Sequence, residues 1–360
     1  MTESFDAVVV GGGPAGATAA QELAEKGTRV LLLDKPGRIK PCGGAIPPRL
    51  IRDYDIPQKL LCARISSARM ISPSDRTVDM PINGGYVGMV NREVFDEYLR
   101  VRASQSGADR RDGKYLHTER DDDGNAVVVY QPEGSSSEVK IKARLVIGAD
   151  GAKSQVAKHL VGGPPVPCVS AYHEIVEAPE RSSDLYDAAR CDVIYKGAVS
   201  PDFYGWVFPH GSTASIGTGT AKKGWSIKGA TRDLRAAAGL TDAKTIRVEG
   251  APIPMKPRKK WDNDRDVVLA GDAAGVVAPA SGEGIYYAMF GGTCAAQAGL
   301  AFLESGDAKS LRTARKTFMK HHGRVFWVLG IMQHFWYSSD KRRERFVSMC
   351  RDEDVQELTW

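Results

Sequence analysis

One stretch of this chain, Asp6 to Lys35, constrains the fold more than any other, because its glycines fall where a strand, a tight turn and a helix need them. It reads DAVVVGGGPAGATAAQELAEKGTRVLLLDK. The apolar run Ala7 to Val10 suits a buried parallel strand, and Gly11, Gly13 and Gly16 follow as G-x-G-x-x-G before an alanine-rich helical pattern, Ala15 to Glu25. In such a turn the first glycine permits the bend, the second lets the backbone approach a pyrophosphate, and the third allows close helix packing while N-terminal amides face the phosphates. Gly27 stops the helix. A second apolar strand, Val30 to Leu33, ends in Asp34, eighteen residues after Gly16, where a carboxylate accepts hydrogen bonds from a ribose diol and disfavours a 2′-phosphate. Together these features predict an adenine-dinucleotide site, with FAD and NAD both open on these residues alone.

At 360 residues the chain exceeds the usual size of one domain, so two domains and a sizeable core are expected. The net charge of +5 is modest, and the basic residues are spread out except at Arg258, Lys259 and Lys260 and at Lys341, Arg342, Arg343 and Arg345. Neither cluster is interleaved with aromatics as a single-strand nucleic-acid surface would be, which argues against a nucleic-acid partner and for a solvated face or a weak attraction to anionic headgroups. Cysteines at 42, 62, 168, 191, 294 and 350 form no C-x-x-C pair and show no metal-ligand spacing. With no signal-peptide pattern ahead of the fingerprint, the expectation is a reducing cytoplasmic compartment and no metal. No run of eighteen apolar residues is present to span a bilayer.

After Asp34 comes KPGRIKPCGGAIPPRL, in which Cys42 precedes Gly43 and Gly44 and a helix begins near Pro47 or Pro48. The paired glycines let the backbone lie close to a ligand, although a surface turn with a buried thiol fits the same residues. Residues 66–90 read as short strands, and Asn91 to Gly107 carries Val94, Phe95, Tyr98, Leu99 and Val101 at helical spacing. Arg92 in its first turn is not favoured by the helix dipole, so it needs a partner, and a cofactor phosphate is one candidate. Asp121 to Gly124 reads as a hairpin turn leading to a strand at Ala126 to Tyr130. The strand Ala143 to Ile147 ends in Asp150 and Gly151, where α/β folds present ligand groups.

From 165 to 256 the pattern turns to strands, apart from a helix over Ser226 to Gly239, and reads as a second domain. There Tyr204, Trp206 and Phe208 alternate at period two, hence on one strand face, where core packing is the ordinary explanation. A strand over Asp266 to Ala270 then carries Asp272 at its end, and Gly282 and Gly284 precede a small-residue helix, Ile285 to Glu304, whose N-terminus suits an electron-rich ring. Ser310 to Tyr337 is helical in pattern and dense in Val325, Phe326, Trp327, Ile331, Phe335 and Trp336, a face suited to core, partner or membrane interface.

Three blocks, GGGPAG, GADG and GDAAG, resemble the p-hydroxybenzoate hydroxylase-like class of FAD proteins. The resemblance selects FAD. It implies that Asp34 binds the adenosine ribose, Arg92 lies near the pyrophosphate, Asp272 takes the ribityl chain and the amides around Gly282 to Gly284 approach the ring, with Gly11, Gly13, Ala15, Gly16, Lys35, Asp150 and Gly151 in the same cofactor site. Within that class, PCGGAIP, VNREVFDEYL and the block P-x-x-Y-x-W-x-F-P-x-G from Pro201 to Gly211 resemble the geranylgeranyl reductase family, most narrowly its (bacterio)chlorophyll-pathway branch. The fold it implies is α/β: a Rossmann-like FAD-binding domain over 1–70, 91–164 and 260–308, an inserted antiparallel β-sheet substrate domain over 71–90 and 165–259, and a helical C-terminal region over 309–360. The activity it implies is NADPH-dependent reduction of a geranylgeranyl group, on a prenylated pigment or a prenyl diphosphate, with NADPH docking transiently and flavin passing hydride to the alkene. Tyr204, Trp206 and Phe208 would line a prenyl tunnel, and Cys42, with Gly43 and Gly44, would lie beside the flavin and act in catalysis. The aromatic C-terminal helix and the basic run after it suggest peripheral membrane contact. Members of that branch usually continue past a position like Trp360, which implies a chain shortened at its C-terminus. A flavin monooxygenase or halogenase shares the three FAD blocks, and a prenyl-pigment carrier with structural FAD is the non-catalytic alternative.

Overall fold

The computed structural model describes residues 2–37, 39–83 and 85–357. In chain order the described strands are β1 (Glu3–Val10), β2 (Val30–Asp34), β3 (Ala45–Ile46), β4 (Leu61–Ile65), β5 (Ser67–Ile71), β6 (Thr77–Pro81), β7 (Val87–Val90), β8 (Asp109–Arg120), β9 (Ala126–Pro132), β10 (Val139–Gly148), β11 (Cys168–Glu177), β12 (Arg190–Ile194), β13 (Gly205–His210), β14 (Thr213–Thr220), β15 (Thr245–Pro254) and β16 (Val267–Leu269). The helices are α1 (Pro14–Glu25), α2 (Pro48–Asp53), α3 (Arg92–Gln105), α4 (Ile227–Ala237), α5 (Ile285–Ser305), α6 (Thr313–Trp336), α7 (Asp340–Met349) and α8 (Glu353–Glu357). They fall into two units: Met1–Lys40, Phe95–Pro167 and Pro254–Trp327 form one, and Pro41–Val94, Cys168–Ile253 and Val328–Trp360 the other.

In the first unit β8, β2, β1, β10 and β16 lie parallel in that order. The continuous apolar runs of β1 and β2 are buried on both sides, as a covered parallel sheet requires. β8 and β10 are long enough to run past this sheet and pair antiparallel with β9. The turn between β8 and β9 closes on Gly124 at φ +79°, with its amide bonded to the Asp121 carbonyl. Helices α1 and α5 pack on each other through small residues: a side chain on Gly292 would strike the Ala15 carbonyl.

The second unit is built on a seven-stranded sheet ordered β15, β11, β14, β13, β12, β5, β6, in which β12 and β5 are parallel. One face is covered by α4, whose Leu234 joins Val176, Val207, Ala214 and Ile216 in a buried core. Ser226 caps α4 by accepting the Gly229 amide. A smaller sheet, β3, β7, β4, contributes Ile65 and Met89 to a second cluster with Cys191, against which Phe208 packs.

Unit boundaries differ from the domain limits read off the sequence. Residues 41–70 belong with the second unit, because β3 and β4 pair with β7 while β5 pairs with β6 and β12. The C-terminal region is not separate either. Asp340 accepts the Gly197 amide at 2.8 Å, Glu344 is bonded to Ser72 and Ser74, and Arg343 donates to the carbonyls of Ser200, Pro201 and Tyr337. Arg343 is therefore a buried clamp and not, as its place in a basic run suggests, part of a solvated face.

Candidate functional site

In the first unit β1 feeds directly into Gly11, at φ +107°, where a side chain would run into the Ala149 carbonyl. Gly16, in the first turn of α1, has no room for a side chain because the Gly11 carbonyl fills that space. Gly13 differs. It is the residue ahead of α1, its backbone is extended, and a Cβ on it would meet nothing within 4 Å. No side chain caps α1, and an uncapped helix start beside the open space at Gly13 is an arrangement suited to a pyrophosphate. Ala15 is buried behind this turn and Lys35 is exposed.

Asp34 ends β2 with Oδ2 3.2 Å from Arg100 Nη1, which also donates to the Gly12 carbonyl at 3.2 Å. Burial raises the Asp34 pKa, against the opposing pull of the Gly12 amide and Arg100. Glu97 in turn bridges Arg100 and Arg110. Arg100 escaped the sequence reading, which singled out Arg92 on the same helix. Arg92 is buried and belongs with the second unit.

Asp272 follows β16 in a tight 3₁₀ turn and pairs with Lys40 Nζ at 2.5 Å. A side chain on the preceding Gly271 would come within 2.7 Å of Ala15 Cβ, so this turn abuts the start of α1. The loop ahead of α5 is held by bonds from the Ala278 amide to the Glu283 carbonyl and from the Gly282 amide to the Ala278 carbonyl, at 2.8 and 3.0 Å. Ala280 sits there at φ +63°, a left-handed conformation that costs a non-glycine residue about 1–2 kcal/mol. Gly284 precedes α5 without a side-chain cap. Asp150 is differently employed. Its carboxylate accepts the Ser154 hydroxyl and the amides of Gln155 and Val156, so it caps the following turn, while Gly151, at φ +85°, is open.

In the second unit Tyr204, Trp206 and Phe208 stand in a row on the sheet face opposite α4, with neighbouring ring centroids 6.1 and 6.3 Å apart. Tyr204 stacks on Phe203 at 4.3 Å and meets Tyr195, which also touches Tyr337 and Phe346. His210 is the next residue in the same alternation. Its Nδ1 lies 3.1 Å from the Phe208 carbonyl, and burial holds its pKa below the ordinary imidazole range. The Cys42 turn packs against this end of the row: a side chain on Gly43 would lie 3.1 Å from the Phe208 ring, and one on Gly44 2.6 Å from His210 Nε2. Cys42 Sγ accepts the Gly44 amide at 3.4 Å. His210 also went unnoticed in the sequence, although the period-two alternation that selects the three aromatics extends to it.

The family model for lycopene cyclase proteins matches residues 6–356. A geranylgeranyl diphosphate reductase of Rhodobacter capsulatus is 59% identical over 356 residues, covering 99% of this chain and 90% of that protein. Among solved structures, a geranylgeranyl bacteriochlorophyll reductase-like protein of Thermoplasma acidophilum superposes with a TM-score of 0.86 at 23% identity, covering 98% of this chain and 92% of its own. A flavin-dependent brominase follows at 0.79 and 16% identity, covering 99% and 92%. At these identities the two structures speak for the fold alone.

Proposed function

The chain belongs to the lycopene cyclase protein family and, within it, stands with the geranylgeranyl reductases, and from that premise we propose that it uses FAD and NADPH to saturate C=C bonds of a geranylgeranyl group. The observation that carries this reading is the 59% identity to a geranylgeranyl diphosphate reductase across 99% of the chain. The acceptor is a geranylgeranyl ester of a (bacterio)chlorophyll or free geranylgeranyl diphosphate. A monooxygenase or halogenase shares only the fold, at identities that carry no activity.

The residues of the first unit suit FAD. Open space in front of an uncapped helix admits a pyrophosphate to the amides of Ala15 and Gly16, and Asp34 offers an acceptor for ribose hydroxyls, its charge supported by Arg100. Asp272 offers a second acceptor, for a polyol chain, that Lys40 would share or yield. FAD held by these residues would supply the hydride, with NADPH as the proposed source of its electrons. An isolated alkene accepts hydride only if a proton arrives at its other carbon and water is kept away. Tyr204, Trp206 and Phe208 provide an apolar wall for the chain, and aromatic faces also favour positive charge developing on a substituted carbon. Cys42, in the turn that packs on Phe208 and His210, is the proposed residue for gating the chain or delivering a proton.

Among the described residues no helix is long and apolar enough to cross a membrane. α6 nevertheless exposes Val328, Ile331 and Phe335 at helical spacing, Trp327 beside them is 68% exposed, and Lys341 and Arg345 follow on α7. These features support peripheral attachment to an anionic bilayer that holds a lipid-soluble acceptor. The deciding experiment incubates purified protein with FAD, NADPH and each acceptor and reads product masses. Gains of two hydrogens per reduced bond support the reading, whereas oxygen or halogen incorporation overturns it.

A further inference from the structure

A line of polar side chains runs from the aromatic row to the far edge of the seven-stranded sheet, and the chemistry above does not use it. Trp206 on β13, Gly217 on β14 and His173 on β11 stand opposite one another in register, so they share a face. Gly217 is the gap that lets its two neighbours meet. A Cβ there would lie 2.5 Å from both Trp206 Cζ2 and His173 Cβ. With glycine in place the indole and imidazole centroids are 6.1 Å apart.

Two residues along β14, Ser215 joins the rings through hydrogen bonds. Its Oγ accepts the Trp206 Nε1–H at 3.1 Å and lies 2.8 Å from His173 Nδ1. His173 Nε2 is 2.9 Å from Glu249 Oε2 on β15, Arg247 Nε is 2.7 Å from Glu249 Oε1, and Arg247 reaches Glu93 at 3.2 and 3.3 Å. The Glu249 carboxylate, which can only accept, takes the Nε2–H of His173, and Ser215 Oγ accepts the indole N–H and shares a further hydrogen bond with Nδ1. Burial alone would raise the Glu249 pKa, but its bonds to His173 and Arg247 outweigh that and hold it below the usual carboxylate value.

Serine, histidine and glutamate in this order resemble a hydrolytic triad, but a nucleophile must be reachable, and Ser215 is fully buried in mid-strand with its oxygen already bonded on two sides. Stability does not explain the line either: a satisfied buried polar network contributes little beyond well-packed apolar groups of the same shape. It does select one arrangement. What it selects is the orientation of the indole, whose N–H would otherwise leave two opposed rotamers open.

We propose that His173 and Ser215 are positioning residues for the prenyl site, holding the Trp206 indole in one orientation so that its face toward the chain is fixed. The proposal rests on the functional reading above. A long acceptor carries several similar alkenes, and a rigid wall is what brings one of them to the reacting position.

The test is a mutant cycle on the holoenzyme. Kinetics on the prenyl acceptor, the rate of FAD reduction by NADPH, FAD occupancy and Tm are measured for Ser215→Ala, Ser215→Thr, His173→Gln, Trp206→Phe and the Ser215→Ala/Trp206→Phe pair. Losing one neutral hydrogen bond predicts a rise of about five-fold in acceptor KM for Ser215→Ala, with FAD reduction unchanged. His173→Gln should raise KM likewise, and it reports alone if Ser215→Ala does not fold. Ser215→Thr, which keeps the hydroxyl, should restore the wild-type KM. In the Trp206→Phe background, which has no indole N–H, Ser215→Ala should have no further effect. An equal fold-change in both backgrounds, or an unchanged KM in Ser215→Ala and His173→Gln, overturns the proposal. A wild-type protein that binds FAD but turns over no prenyl acceptor overturns the functional reading instead.

Discussion

Replacing Gly13 by valine should separate cofactor binding from folding. The backbone there, at φ −73° and ψ −176°, is one that valine adopts without strain, and a Cβ meets no atom within 4 Å. The folding cost is then the loss of a tolerable N-cap residue, on the order of 1 kcal/mol, which lowers Tm by about 2–4 °C in a domain of this size. Binding should suffer more. The side chain would stand where a pyrophosphate approaches the amides of Ala15 and Gly16. Two charge-assisted hydrogen bonds at about 1.5–3 kcal/mol each amount to roughly 3–6 kcal/mol, on the order of a 10²- to 10⁴-fold rise in Kd. Titration calorimetry with FAD and a thermal melt read the two quantities independently. Gly16→Ala is the control with the opposite outcome: its Cβ has to displace the Gly11 carbonyl, so the fold should fail first. A Gly13→Val protein that binds FAD within about threefold of wild type refutes the site assignment, because the close approach on which these numbers depend would not exist.

Four further outcomes are expected. Burial raises the Asp34 pKa above the ordinary 3.8, so ionised Asp34 costs the free protein stability that is regained as pH falls through the raised value; ribose hydroxyls favour the ionised form, so FAD affinity should be full above that range and weaken below it, and Asp34→Asn should flatten the pH dependence in a fluorescence titration. Trp206→Ala should raise acceptor KM or lower turnover while FAD reduction by NADPH stays nearly intact; loss of bound FAD would assign the ring to the fold. Arg343→Met should cost about 3 kcal/mol or more in chemical denaturation, since three carbonyls lose a donor. Ile331→Glu, at a half-exposed position, should abolish flotation with anionic liposomes at low salt without changing Tm, and undiminished flotation would remove this face from the membrane reading.

What could be read from the sequence was local. The glycine fingerprint, the helices over 92–105, 227–237 and 285–305 and the one-sided aromatic row all follow from residues within a few positions of one another, where backbone period and turn chemistry act directly. Partners brought together by topology could not be read. Arg100 lies 66 residues from Asp34 and Lys40 lies 232 from Asp272, and no spacing rule connects such positions. Arg343 shows why a charge run misleads: the sequence KRRER looks uniformly solvated, yet a helix docked on a sheet must turn one side inward, and the residue on that side donates through Nη2 to backbone carbonyls.

The aromatic row shows where the two kinds of information meet. Period two correctly aligns Tyr204, Trp206 and Phe208, but alignment alone does not distinguish a core stripe from a binding wall, since both bury rings. The distinction lies in what stands behind the rings. On the α4 side of the sheet, Val207, Ile216 and Leu234 form an apolar core that needs no fixed orientation beyond close packing. On the other side the indole is anchored by a serine, a histidine and a glutamate drawn from three further strands, across a glycine that leaves the space clear. A core would be served as well by aliphatic residues there, whereas the proposed binding wall calls for polar anchoring of this kind, because its shape must hold when a flexible chain lies against it.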